Sequence, residues 1–170
     1  ETLARQLSAL PSHEDILAAA LQSAPSVLGA AGFDQQTLTT SSGLRTAPIR
    51  VSGGDPLPQV RNYPWVLASL PQLQAAASGQ ALLSVDLREN VARRMPLVAA
   101  VNDQLVPSLA MEMLRVATQS DAIEVHAGSR GIDTVGVADL LTPTLPNGDV
   151  WLHFAAAESG VPRNISAAAV

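Results

Sequence analysis

From Val91 to Val101 the apolar residues fall on both alternating faces of an extended chain. One face carries Val91, Arg93, Met95, Leu97, Ala99 and Val101; the other carries Ala92, Arg94, Pro96, Val98 and Ala100. A strand apolar on both faces belongs in the interior of a layered domain, covered above and below. The pattern predicts one long strand here, then a tight Asn102-Asp103 turn, a short strand, and an amphipathic helix after Pro107. In that helix Leu109, Ala110, Met113, Val116 and Ala117 form the predicted inward face. Glu112 and Arg115 sit three apart on the predicted outer face.

The flanking chain supplies the other layers. Thr2 to Leu10 reads as a short helix. Ser12-x-x-Asp15 is a capping signal for a second helix, with Ile16, Leu17, Ala20 and Leu21 as its inward stripe and Pro25 as its end. Ser26 to Ala30 then reads as a short strand. Gly32 to Tyr63, rich in Thr, Ser, Gly and Pro, reads as a long surface excursion with one strand at Ala47 to Val51. Pro71 and Gly79 bracket a short helix, and the strand Ala81 to Val85 follows. Ala122 to His126 and Ile132 to Val137 read as strands joined through Gly128-Ser129-Arg130-Gly131. Val150 to Ala155, after the Asn147-Gly148 turn, reads as the last strand. Helices feeding apolar strands define an α/β fold: a mixed β-sheet packed by helices, with a hairpin-rich portion around the arginine strand. No internal repeat and no second domain is visible.

Composition narrows the chemistry. A length of 170 residues suits one domain with a sizeable core. Apolar residues make up 47% of the chain but aromatics only 3%, so that core is built from small side chains and close backbone approach. No run approaches the roughly 18 apolar residues that a membrane-spanning helix requires. A net charge of −5 argues against nucleic acid or an anionic membrane surface as partner. The chain has no cysteine, which excludes a disulfide framework, a thiolate nucleophile and cysteine-ligated zinc. It has no lysine either, all ten basic residues being arginine, so a Walker-type phosphate loop, a Schiff base and Ser-Lys chemistry are excluded. GC-rich codon usage is the plainest reason for that substitution.

Few constellations point to a site. Arg93 and Arg94 stand at the start of the covered strand beside Asp86, Arg88 and Glu89. Guanidinium groups there need carboxylates or a ligand, so the cluster is either an anion site or an ion-pair network that pins the turn, the network being the plainer reading. Trp65 and Tyr63 either line a pocket or plug the base of the long loop, and scarce aromatics in a small-residue core favour the plug. His13, His126 and His153 lack paired ligand spacing, and His126 and His153 read as structural histidines on strands. No Gly-x-Ser-x-Gly elbow marks a nucleophile, and Asp133 and Asp139 flank a strand at a commonplace spacing. The sequence points to no cofactor and no metal.

The run LPQLQAAASGQALLSVD, the Asp86 turn, ARRMPLV and QLVPSLAMEMLR together resemble the extracellular sensory domain of cyclases and histidine kinases, type two (CHASE-two). HEDILAAALQSAPSVLGAAG near the start and LPNGDVWLHFA near the end resemble further parts of that family. Glu89-Asn90 departs from its pattern, standing where Asp-Gly is usual. The resemblance implies an extracytoplasmic signal-input domain, a fragment at 1–170 truncated at both ends, held between transmembrane helices at the periplasmic face of a bacterial inner membrane. The implied output is a cytoplasmic adenylate or guanylate cyclase, or else a histidine or Ser/Thr kinase. The implied partners are an unknown small-molecule or environmental signal and a second copy in a homodimer. Arg93, Arg94, Asp86 and Trp65 are the candidate ligand contacts. A non-binding dimerisation scaffold and a small hydrolase are the rival classes.

Overall fold

The computed structural model describes residues 11–37, 40–41, 43–84, 87–88 and 91–154. The expected helix at Thr2 to Leu10, Asp86, Glu89 and the chain after Phe154 lie outside the described residues. The architecture is mixed α/β; among the described residues several mixed sheets are packed by three helices.

The centre is β9 (Val98–Val101), which pairs antiparallel with β10 (Gln104–Pro107) and parallel with β3 (Asn62–Tyr63). All four β9 residues are buried. Val98 and Ala100 belong to one core cluster, with Ile123, Val125, Ile132, Val135 and Val137. Ala99 and Val101 belong to another, with Val66, Leu82 and Val106. β9 is therefore the wall between two interiors, and its small residues let the layers approach on both sides. Asn102 and Asp103, at φ 46° and 63°, close the two-residue hairpin to β10, a left-handed geometry that Asn and Asp tolerate.

The covered strand expected over Val91–Val101 is only partly realised. The chain there is divided into β7 (Val91–Ala92), β8 (Arg94–Pro96) and β9, with breaks at Arg93 and Leu97. β7 forms a hairpin with β6 (Leu87–Arg88), and Val91 is 45% exposed. β8 pairs antiparallel with β14 (Asp149–Trp151). Each short strand thus has a different partner, and two-sided burial begins only at Leu97.

Two further sheets form the outer layers. β1 (Val27–Phe33) lies between β4 (Trp65–Leu67), antiparallel, and β5 (Gly79–Leu82), parallel. β11 (Ile123–Gly128) lies between β2 (Ile49–Gly53), parallel, and β12 (Gly131–Val137), antiparallel, with β13 (Leu140–Pro143) beyond. The strands expected at Ser26–Ala30, Ala47–Val51 and Ala81–Val85 are these β1, β2 and β5, each displaced by two or three residues at one or both ends. The last strand ends at Trp151, short of the expected Ala155.

The helices depart most from expectation. α1 (His13–Ser23) has its capping box, Asp15 N–H donating to Ser12 Oγ and Ser12 N–H to Asp15 Oδ2. It packs on α2 (Pro71–Ala76) yet buries no residue, and Ile16 and Leu17 of the expected inward stripe are 55% and 48% exposed. α3 (Leu109–Ala117) is rotated relative to the expected face. Its buried residues are Met111 and Glu112, while Met113 is 54% exposed. Glu112 can face inward because Arg115 neutralises it bidentately, Nε to Oε2 at 2.8 Å and Nη2 to Oε1 at 2.7 Å. The remaining Arg115 donors reach the Ser120 and Ser78 carbonyls, and its hydrogen bonds with Glu112 raise its pKa further above the ordinary arginine value. The glutamate carboxylate rests against Gly79, where any Cβ would collide with Oε1.

Candidate functional site

The β8–β14 pair sets one wall of a cavity of about 550 Å³, within the usual range for small-molecule sites. Cross-strand register places Arg94 opposite Trp151 and Pro96 opposite Asp149. The Arg94 guanidinium lies over the Trp151 ring, 5.1 Å from its centroid, a cation–π contact that fixes the fork by its face. Among the described residues Arg94 makes no ion pair and no side-chain hydrogen bond. Asp149 is held by the turn before β14: Asn147 Nδ2 donates to its Oδ2 at 2.8 Å. That turn needs Gly148, whose φ of 81° favours a residue without Cβ and whose carbonyl accepts from Leu97 N–H. Asp149 has no cationic partner among the described residues.

The opposite wall comes from the end of β1 and the approach to β3. Arg61 Nη2 contacts both oxygens of Asp34, at 2.9 and 2.7 Å, and its guanidinium lies 5.2 Å from the centroid of the Tyr63 ring. These charges are already matched to each other and sit in solvent, 56% and 66% exposed. Below them Tyr63 is buried and joins the second core cluster. Gly32 N–H donates to Ser84 Oγ at 2.6 Å, tying β1 to the segment after β5 along the cavity floor. Among the described residues the cavity thus presents one matched ion pair and two unmatched, opposite charges.

Of the sequence-derived contacts among the described residues, only Arg94 reaches this cavity. Arg93, the neighbouring residue in an extended chain, points the other way and is exposed, its carbonyl accepting from Leu152 N–H. Trp65 is half-buried in β4 opposite Phe33 and lies outside the cavity. Asp86 lies outside the described residues. Tyr63 serves both expected roles, as core filler and cavity base. Asp34, Arg61 and Asp149 were not singled out as site residues: two fall in or beside the presumed surface excursion, the third in a turn. The signal available was the scarcity of cations, since every arginine of a lysine-free chain merits a search for its partner.

A second polar pair lies elsewhere. Ser52 Oγ and His126 Nδ1 hydrogen-bond across the parallel β2–β11 pair, beside the Arg50–Glu124 bridge at 3.2 Å. Ser52 and His126 are both exposed on this sheet. His126 lies on a strand as expected but is exposed, with Ser52 as its partner, whereas His153 lies beyond β14 and is also exposed. Among the described residues no group of His, Asp or Glu converges so as to hold a metal ion, and no helix is long and apolar enough to cross a membrane. Comparison of the chain with family models, curated proteins and solved structures finds no significant match.

Proposed function

We propose that the chain is a signal-input domain acting at the outer face of a bacterial cytoplasmic membrane, with the cavity beside Arg94 as its ligand site. A cytoplasmic adenylate or guanylate cyclase is the output that the CHASE-two resemblance implies, a histidine or Ser/Thr kinase the other. One observation carries the ligand site: Arg94, from the Arg-Arg-x-Pro run on which the resemblance rests, faces a cavity of about 550 Å³ without a carboxylate partner among the described residues. β1, β3 and β8, from three separate sheets, contribute to that cavity. A ligand bridging them favours the arrangement in which all three approach, and it transmits a signal by the difference in its affinity for the two arrangements. The coding sequence on either side of these 170 residues tests the class. Transmembrane segments on the C-terminal side followed by a cyclase or kinase are expected; a wholly cytosolic parent polypeptide overturns it. A dimerisation scaffold is the second reading, favoured by the exposed Ile16 and Leu17 of α1. A stable dimer that no metabolite stabilises would select it.

A further inference from the structure

We infer that the cavity takes a zwitterion, a small compound bearing a carboxylate and an ammonium group close together, of the α-amino-acid or short-peptide class. The inference rests on the reading of this cavity as the ligand site and names the chemistry that the site would select.

Arg94 and Asp149 are half-buried, lie on the same face of the β8–β14 pair and line the same cavity. Asp149 stands opposite Pro96, two residues along from Arg94, so the two backbone positions are offset by about 7 Å along the strands. Long side chains could close that gap, as Arg61 and Asp34 close theirs. Here they do not: the guanidinium lies against Trp151 and the carboxylate is turned toward Asn147. Stacking occupies the face of the Arg94 fork and leaves its N–H edge for a bidentate carboxylate. Asp149 retains acceptor capacity on its second oxygen, suited to an ammonium donor.

Charge matching then discriminates. A simple anion would satisfy Arg94 but bring like charge to Asp149, and a simple amine would do the reverse. A compound with both groups satisfies each wall residue and leaves no ligand charge desolvated without a partner. Asp34 does not alter this balance, because Arg61 holds both its oxygens. The apolar part of the lining, Phe33 and Val60, gives an uncharged side chain somewhere to rest.

The test is a thermal-shift screen of the 170-residue chain against the proteinogenic L-amino acids and their glycyl dipeptides. Each hit is then compared with the 2-oxo acid and the primary amine of the same carbon skeleton, with affinities from calorimetry. At least one zwitterion is expected to raise the melting temperature, and both single-charge analogues to bind about ten- to a hundredfold more weakly, the effect of one lost charge-assisted hydrogen bond. Asp149→Asn should weaken the amino acid while sparing the 2-oxo acid, and Arg94→Ala should weaken both, each variant keeping the unliganded melting temperature. A 2-oxo acid that binds as tightly as its amino acid overturns the zwitterion and leaves an anion site in place. No shift with any amino acid, dipeptide, oxo acid or amine overturns both the inference and the ligand site beneath it.

Discussion

Two of the arginine–carboxylate contacts among the described residues are equally short and lie in opposite surroundings. Arg115 and Glu112 bond fork to fork in the interior, with side chains 15% and 0% exposed. Arg61 and Asp34 make an equally short contact in the open, at 56% and 66%. The buried pair joins α3 to the turn before β5 and cannot be separated without stranding a charge in a dry environment. The open pair competes with water for each partner and holds little of the fold together. Short distance is therefore a poor guide to importance, and solvent access decides which pair is architecture.

That contrast can be broken by substitution, most forcibly at Arg115. Arg115→Ala leaves Glu112 buried without its counter-charge and is expected to cost about 3–5 kcal/mol in urea unfolding. The double change Glu112→Leu with Arg115→Met should recover most of that loss, because the desolvation of both ions disappears with them. A milder probe of the same interior is Gly79→Ala. Its methyl must displace the Glu112 carboxylate, for an expected loss of about 1–3 kcal/mol. Asp34→Ala at the open pair should cost no more than about 1 kcal/mol, and less as salt is raised. Smallest of all is Arg94→Ala, which removes the half-buried guanidinium's stacking on Trp151 and is expected to cost about 0.5 kcal/mol. A loss at Asp34 matching that at Arg115 would erase the distinction between the two pairs.

The same distinction explains what the sequence revealed. The two-sided pattern of Leu97 to Val101 was legible because burial on both faces leaves no polar residue to interrupt it. The breaks at Arg93 and Leu97 were not, since β8 takes its partner from β14, far downstream, and no local signal announces a distant edge. The spacing of Glu112 and Arg115 was visible, but the convention that charges face water turned α3 the wrong way round. Only the fold shows that the second charge makes burial of the first tolerable. The converse holds at α1, whose apolar stripe at Ile16 and Leu17 is exposed, because a helical period shows that a face exists and not that anything covers it. In the cavity, Arg94 stood out as one of a doublet. Asp149 could not, being brought to it by strand pairing alone.

The sharing of β9 has a mechanical consequence. Because its odd and even residues serve different interiors, neither interior can loosen without uncovering one side of the same four residues. The pair should melt as one cooperative unit, with the amides of Ala99 and Ala100 among the slowest in the chain to exchange with deuterium. Any tilt imposed just upstream, where Arg94 meets a bound molecule, would act on that common partition and be felt on both of its sides at once.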